Sequence, residues 1–293
     1  MPVNIKEIDF KTLIKKPLFW EIAVGALVVL CALIFLIVAL LRPADPGEET
    51  AETNETEATQ QVTEATLPPP ESNPIGMSDF YMNGNYLSCL ATLSVLGIDV
   101  SFWQKDIDWE KVKEAGVEFV MIRAGARGTE TGNLFEDDYA QANYAGATAA
   151  GIKVGAYFFS QAINPEEAAE EARYLLKIIR GWDIQMPVVF DWEFVDADAR
   201  TGKMDPRTLT DCAKAFCKTV QDGGYRPMIY FNTNQSLDML YLAELKEYDF
   251  WLAQYDTVLK YPYKIDMWQY SETGSVPGIK GDVDINLYFP YDE

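Results

Sequence analysis

The fold is decided by residues 153–192, KVGAYFFSQAINPEEAAEEARYLLKIIRGWDIQMPVVFDW. Two β-prone runs, Lys153–Phe159 and Pro187–Trp192, flank a stretch with helical character, Pro165–Gly181. Asn164 precedes this stretch as a helix N-cap, and a proline followed by two acids occupies its first turn. A strand–helix–strand unit with apolar strands predicts two parallel strands that are buried beneath a covering helix.

The same alternation extends to both sides of this unit. Six further β-prone runs are Leu96–Val100, Phe119–Arg123, Pro227–Phe231, Phe250–Tyr255, Ile265–Tyr270 and Val283–Tyr288. Three further helical segments are Asp108–Ala115, Phe135–Ala150 and Asp205–Gly223. Eight buried strands with parallel pairing favour a closed barrel. The connections after Tyr255 are too short for full helices, so we predict an α/β fold, an irregular (β/α) TIM-like barrel with fewer than eight full helices.

The N-terminal region predicts a membrane anchor. Residues 18–41 form an apolar run with one charge, Glu21, and about 20 apolar residues in a helix span a bilayer. An uncleaved anchor is favoured, because the apolar core of a signal peptide is shorter, about 7–15 residues. The lysines of residues 1–17 outnumber the single Arg42 that follows the run. The positive-inside rule therefore predicts a cytoplasmic N-terminal tail and a single-pass protein of the cell membrane with its folded part outside.

The chain changes character again after the apolar run. Residues 42–76 are rich in Glu, Thr and Pro and contain almost no apolar side chains, which predicts a disordered acidic linker. Residues 77–293 form the predicted folded domain, with a short hairpin at about 79–90 and the barrel at 96–289.

Composition excludes several classes of function. The chain has no histidine, which excludes Ser-His-Asp and Cys-His catalysis and His-ligated zinc hydrolysis. Lys and Arg number 24 against 45 Asp and Glu, and the net charge of -21 argues against nucleic acid as a partner. The four cysteines are predicted to be free thiols, since their spacing suggests no disulfide framework. Acid–base chemistry must therefore fall to carboxyl groups, Tyr, Lys or Cys.

The predicted strand ends carry a concentration of polar side chains. In a β/α barrel the active site lies at the C-terminal ends of the strands. The residues at those ends are Asp99, Arg123, Tyr157, Phe159, Asp191, Glu193, Tyr230, Asn232, Gln254, Gln269 and Asp284. Asp191 and Glu193 are two apart on one strand and so share a face, and their mutual repulsion and burial should leave one ionised and the other able to donate a proton.

Aromatic residues accompany these acids along the chain. They are Trp103, Tyr157, Trp192, Tyr230, Trp251, Tyr255, Trp268 and Tyr270. Flat rings beside carboxylates suit sugar faces, although an aromatic residue in a barrel strand more often belongs to the core. Burying four acids costs several kcal/mol unless each is paired or functional. We therefore favour glycoside cleavage, in which one acid protonates the leaving oxygen and a carboxylate stabilises the positive charge at the sugar carbon.

Seven segments together resemble a known family, the glycoside hydrolase family 25 lysozymes, which are N-acetylmuramidases. The opening strands are similar in Leu96–Gln104, Phe119–Gly125 and Val154–Ser160, and the paired-acid strand in Val188–Glu193. The closing strands are similar in Trp251–Tyr255, Met267–Ser271 and Asp282–Asn286. The resemblance covers about residues 96–289. Many members carry a His on the third strand where this chain has Phe158 or Phe159.

The resemblance implies an activity and roles for particular residues. The implied reaction is hydrolysis of the β-1,4 bond between N-acetylmuramic acid and N-acetylglucosamine in peptidoglycan, without a metal or another cofactor. Glu193 is the implied general acid, and Asp99 and Asp191 orient or stabilise, with attack by the substrate's own acetamido group left open. The residues expected to bind substrate are Asp284, Tyr157, Trp192, Tyr230, Asn232, Gln254, Trp268, Gln269 and Arg123.

Two other hypotheses stay open at this point. The first is a non-catalytic barrel that binds glycan or acts as a scaffold at the cell surface. The second is an Asp/Glu-bound Mg²⁺ site for phosphoryl transfer. The sequence offers this chemistry no glycine-rich phosphate loop and no basic clamp beyond Arg123, which counts against it. The partners expected are peptidoglycan glycan strands, the membrane through residues 18–41, and cell-wall synthesis proteins, with no nucleic acid.

Overall fold

A computed structural model describes residues 70–291 of the chain. Its strands are β1 Phe80–Asn83, β2 Tyr86–Cys89, β3 Val95–Val100, β4 Phe119–Arg127, β5 Leu134–Glu136, β6 Lys153–Ser160, β7 Val188–Trp192, β8 Pro227–Asn232, β9 Asp249–Ala253, β10 Met267–Gly274 and β11 Val283–Tyr288. The α-helices of the described part are α1 Trp109–Glu114, α2 Ala140–Ala149, α3 Pro165–Ile178, α4 Pro206–Asp222 and α5 Thr233–Asp238. Short 3-10 helices lie at Met77–Asp79, Phe102–Gln104 and Leu242–Glu244.

Eight of the strands close a barrel, which confirms the predicted fold class. Around the barrel the order is β3, β4, β6, β7, β8, β9, β10 and β11, and β11 pairs again with β3. All neighbouring pairs from β3 to β10 are parallel, because a helix or a long loop returns the chain each time. The helices of the described part are concentrated between β3 and β9.

The last strand departs from the parallel arrangement that the sequence predicted. β11 is antiparallel to both of its neighbours, β10 and β3. The connection between β10 and β11 contains no helix, and a short connection allows only an antiparallel return. The start of β11 therefore lies at the same rim as the C-terminal ends of the other barrel strands.

Two apolar layers hold the barrel, and the alternation of side chains along each strand separates them. On β7, Val189 points into the barrel interior with Met121 and Met228, whereas Phe190 packs outward against Phe216 of α4. The N-cap that the sequence predicts for α3 is formed. The Asn164 carboxamide oxygen accepts from Glu167 N at 2.9 Å.

One predicted helix is shorter than expected. The segment Phe135–Ala150 was predicted to be helical throughout, but α2 begins only at Ala140. Residues Leu134–Glu136 instead form β5, which pairs with the extended end of β4 through Ala126 and Phe135. Tertiary pairing with the end of β4 overrides the local helical composition.

The domain begins before residue 77. Within residues 70–76, which the sequence assigned to the linker, Ser72 forms a bridge with Tyr263, Asn73 N donates to Pro262 O at 2.9 Å, and Ile75 is buried. The predicted tail 1–17, the predicted membrane helix 18–41 and the linker up to residue 69 lie outside the described residues. Within residues 70–291, no helix has the length and apolarity needed to cross a membrane.

Candidate active site

A cleft of about 370 Å³ opens at the rim formed by the C-terminal ends of β3, β4, β6, β7, β8 and β10 and the start of β11. It is lined by Asp99, Val100, Ser101, Trp103, Gln104, Arg123, Tyr157, Phe159, Asp191, Glu193, Tyr230, Trp251, Tyr255, Gln269, Glu272 and Asp284. All four acids selected from the sequence thus meet in one place, and Glu272 adds a fifth.

Asp191 and Glu193 enter the cleft from the end of β7. Both side chains line the cleft and so share a face, as predicted, whereas Trp192 between them points outward. Burial raises the pKa of Asp191 well above its ordinary value, and the charges of Glu193 and Asp99 add to this effect. Burial, followed by the charge of Asp99, also raises the pKa of Glu193. Among the described residues the Asp191 Oδ1 atom is buried without a hydrogen-bond partner.

Asp99, near the end of β3, has a different environment. Its Oδ2 atom accepts from Gln269 Nε2 at 2.9 Å and from Asn286 Nδ2 at 2.8 Å. Burial raises its pKa, while these two donors and a hydrogen bond with Asp284 act in the opposite direction. Two amide donors aimed at one oxygen stabilise its ionised form.

Asp284 lies directly opposite Asp99 across the antiparallel β3–β11 pair. Burial, followed by the charge of Asp99, raises the pKa of Asp284 to about 9. The protonated Asp284 therefore donates to Asp99. Because Asp284 is near the start of its strand, it reaches this rim only through the antiparallel direction of β11.

Arg123 is the single base among the described residues that line the cleft. Its guanidinium is held by Asp137, with Nε 2.8 Å and Nη2 2.7 Å from Oδ2, and it lies over the Phe102 ring at 4.9 Å. The positive charge lowers the pKa of Asp191 and so partly offsets the effect of burial.

Aromatic side chains form part of the cleft wall and support its polar groups. The hydroxyls of Tyr230 and Tyr255 donate to Gln269 Oε1 at 2.9 Å and 3.2 Å. Gln269 is thereby oriented with its amide donor toward Asp99. Tyr157 meets the buried Trp251 edge-on, with ring centroids 6.1 Å apart. Trp103 is 70% exposed at the mouth of the cleft.

Four residues expected to bind substrate do not line this cleft. Trp192 and Trp268 are buried in the outer apolar layer, since each occupies the outward phase of its strand, and Trp268 packs against Phe80 of β1. The Gln254 amide is engaged in its own loop, where it donates to Val258 O and accepts from Lys260 N. Asn232 caps helix α5 by accepting from Gln235 N, and it lines an adjoining groove next to Glu193.

Two functional positions escaped the sequence reasoning. Asn286 is fully buried, donates to Asp99 and accepts from Trp251 Nε1 at 2.8 Å. Its position two residues after Asp284 places it on the same strand face, which was the available signal. Glu272 extends the acidic lining beyond the predicted strand end. Within residues 70–291 no group of three or more Asp, Glu or Cys side chains is arranged to hold a metal ion.

The closed barrel and the acid-lined cleft at its strand ends define the class of a barrel glycoside hydrolase, whose chemistry is carried by carboxyl groups. The chain belongs to the glycosyl hydrolases family 25, whose sequence model matches residues 98–279. It is accordingly a glycoside hydrolase.

Similar proteins extend over most of the described barrel. Lysozyme M1 of Streptomyces globisporus is 29% identical over 248 residues, covering 76% of this chain and 82% of the relative. The bacterial lysozyme structure from Streptomyces coelicolor matches with a TM-score of 0.54 and 29% identity, over 66% of this chain and 91% of that one. The modular autolysin LytC from Streptococcus pneumoniae, in complex with a synthetic peptidoglycan ligand, matches with a TM-score of 0.59 and 25% identity over 67% of this chain. The match covers 47%, about half, of that autolysin's length.

Proposed function

We propose that this protein hydrolyses peptidoglycan at the β-1,4 bond between N-acetylmuramic acid and N-acetylglucosamine. The observation that carries the proposal is the convergence of Glu193 and Asp191 from one strand end on an acid-lined cleft. The names of a relative, Lysozyme M1, and of a solved structure with a synthetic peptidoglycan ligand support this choice of substrate.

Glu193 is the proposed general acid. Burial raises its pKa, so a protonated fraction is available to donate to the glycosidic oxygen as the bond to the sugar carbon breaks. The departing sugar leaves as an alcohol. Water then adds to the sugar carbon and returns a proton to the Glu193 carboxylate, which completes hydrolysis.

Asp191 and Asp99 are proposed to stabilise the positive charge that develops on the sugar carbon. The buried Asp191 Oδ1, which has no partner among the described residues, is suited to accept the N–H of a substrate acetamido group. That contact would orient the acetamido oxygen for attack on the sugar carbon. Asp99, whose ionised form is stabilised by two amide donors, would supply negative charge to the cleft.

We further propose that the barrel works outside the cell, held by residues 18–41 as a membrane helix with the N-terminus in the cytoplasm. The apolar run and the excess of lysines before it support this topology. A flexible linker of the length of residues 42–69 would have an r.m.s. reach of roughly 26–32 Å, so hydrolysis would take place close to the membrane and to wall synthesis. Protease accessibility of the barrel on intact cells tests the topology, and protection from protease would contradict it.

The experiment on the reaction uses the full-length chain with purified peptidoglycan. The new reducing ends are identified by mass spectrometry, with Glu193→Gln as the matched variant. We expect muramic acid at the new ends and a loss of rate of about 10²-fold or more in the variant, because the general acid is removed. Glucosamine at the new ends, or an unchanged rate in Glu193→Gln, would contradict the proposed bond or the proposed acid respectively.

A further inference from the structure

The backbone that carries Glu193 lies beyond the hydrogen-bonded ladder of the barrel. The β7–β8 pairing ends with Asp191 opposite Tyr230, and the β6–β7 pairing ends with Trp192 opposite Ser160. Glu193 follows as the first residue outside the strand. Its conformation is therefore set by contacts other than the sheet.

Two buried glutamine side chains supply such contacts. Gln161 Nε2 donates to the backbone carbonyl of Glu193 at 3.1 Å. Gln235 Nε2 donates to the backbone carbonyl of Trp192 at 2.7 Å. Gln161 directly follows β6, and Gln235 lies in α5 directly after β8. Because β6 and β8 are the two neighbours of β7, the two amides bind the end of β7 from both sides. Beyond the ends of the strands, these side-chain hydrogen bonds take the place of the backbone hydrogen bonds of the sheet.

Both glutamines are themselves held in place. Gln161 is fully buried, its Oε1 accepts from Thr201 Oγ1 at 2.7 Å, and its backbone N–H donates to Glu171 Oε1 at 3.3 Å. Gln235 is anchored by its own N–H, which donates to the cap residue Asn232 at 2.9 Å. Among the described residues, the buried Gln235 Oε1 has no hydrogen-bond partner. Among the described residues, the Gln235 side chain is therefore held through its Nε2 donor.

We infer that Gln161 and Gln235 are positioning residues that fix the Trp192–Glu193 backbone and so aim the Glu193 carboxyl into the cleft. The inference rests on the proposed function for the role of Glu193 as the acid. A misplacement of a reacting group by about 1 Å can cost about 10²-fold in rate, so a clamp at this position has direct consequences for turnover.

The test compares apolar Gln→Leu variants of the full-length chain. Gln161→Leu and Gln235→Leu remove the clamping donors, each in a separate protein. Gln185→Leu is the control, since the Gln185 side chain, which is exposed, also makes two polar contacts, accepting from Val154 N at 3.0 Å and donating to Asp183 at 2.6 Å. These contacts lie at the opposite end of the β6–β7 pair.

Two readouts are measured for each variant. The first is the pH profile of kcat and KM on peptidoglycan. The second is the pH titration of the Glu193 carboxyl carbon in ¹³C-glutamate-labelled protein, with the resonance assigned through Glu193→Gln. We expect both clamp variants to lose about 10- to 100-fold in kcat with KM within about twofold, and to shift the Glu193 titration. We expect Gln185→Leu to lower the melting temperature and to leave both readouts at their wild-type values.

The outcomes separate the inference from the proposed function. If both clamp variants match Gln185→Leu in kcat and in the Glu193 titration, the inference is wrong while muramidase activity stands. If the wild-type protein does not cut peptidoglycan, the proposed function fails, and the titration still decides the inference. A variant that fails to fold is replaced in the comparison by the other, since the two amides act through separate carbonyls.

Discussion

At the scale of single residues, the carboxyl groups of the cleft differ in what surrounds them. Asp99 accepts from two amide donors, Asp284 forms a hydrogen bond with Asp99, and Asp191 keeps one buried oxygen without a partner among the described residues. Paired groups of this kind stabilise the fold, whereas an unpaired one is retained at a cost in stability. The difference gives separate expectations for each position.

Among these cleft residues, Asn286 is the one whose substitution should lower the free energy of unfolding most. Asn286→Leu leaves both the buried Trp251 N–H and one acceptor site of Asp99 without a partner. We expect the free energy of unfolding to fall by about 1–3 kcal/mol for each orphaned group, measured by urea denaturation. The cost should be smaller in a Trp251→Phe background, where the orphaned donor is already absent. An equal cost in both backgrounds would contradict the proposed bridging role.

Asp191→Asn should have the opposite pattern. The change removes an ionisable group that is buried with a free oxygen, so we expect an equal or higher free energy of unfolding at neutral pH. Turnover on peptidoglycan should nevertheless fall by roughly 10²-fold or more, because the carboxyl group proposed to orient the substrate's acetamido group is lost. Denaturation curves and kcat measured on the same preparation check both parts. A destabilised variant would show that Asp191 is structurally paired.

The raised pKa of Asp284 predicts how stability depends on pH. The carboxyl holds its proton up to about pH 9 in the folded protein, compared with an ordinary value of 3.8. Between these values the folded state binds more protons than the unfolded state, so this group makes stability fall as pH rises through the window. Asp284→Asn should lose part of that slope in unfolding free energies measured from pH 5 to 9. A slope identical to the wild type would mean that the folded carboxyl titrates normally.

At the scale of secondary-structure elements, a buried ion pair joins α3 to the C-terminal ends of β4 and β6. Arg127 at the end of β4 donates through Nε to Glu171 of α3 at 2.7 Å, and Ser160 at the end of β6 donates to the other oxygen of Glu171 at 2.5 Å. Burial raises the pKa of Glu171 to about 7 even beside the arginine. The same carboxylate accepts from Gln161 N, so the pair also supports the glutamine that contacts Glu193.

Breaking this pair should cost far more than breaking a surface pair. Arg127→Met leaves the fully buried Glu171 carboxyl without its cation, and we expect a loss of about 3–5 kcal/mol in the free energy of unfolding. The control is Arg207→Met, since Arg207 pairs with Asp211 and Glu244 while 45% exposed, and a cost below about 1 kcal/mol is expected there.

Adding Glu171→Leu to Arg127→Met should recover much of the loss, because no buried charge then remains unpaired. Chemical denaturation of the single and double variants checks this through a double-mutant cycle. Strictly additive costs would contradict direct coupling of the two side chains.

At the scale of the whole molecule, net charge affects the rate at which the enzyme associates with a charged polymer. The chain carries a net charge of -21, so an anionic cell wall repels it at long range. Salt shortens the range of this repulsion, since the Debye length falls from about 30 Å at 0.01 M to about 8 Å at 0.15 M. We therefore expect kcat/KM on walls that keep their anionic polymers to rise over this salt range. Walls stripped of those polymers are the control, and an equal salt response on both would exclude charge repulsion as the cause.

Much of the fold and part of the site followed from local sequence patterns. The β-prone runs, the Asn164 cap and the period-two placement of Asp191 and Glu193 are decided by residues near each other in the chain. Alternating strands and helices pack as a barrel of parallel strands, and the C-terminal ends of parallel strands lie at one rim. The barrel and its acidic rim were therefore predictable. The family resemblance assigned the same rim to glycoside cleavage, and the family match confirms the class.

The tertiary structure alone decided which side chains face the cleft and what holds them. Trp192 and Trp268 satisfy the composition of a sugar site, yet strand phase buries them behind the barrel wall. The pairing of Asp284 with Asp99 required the antiparallel return of β11. The partners of Asp99 lie 170 and 187 residues along the chain, and the amides that hold the end of β7 come from β6 and α5. Local patterns carry no information on such long-range contacts, because barrel closure determines which distant residues become neighbours.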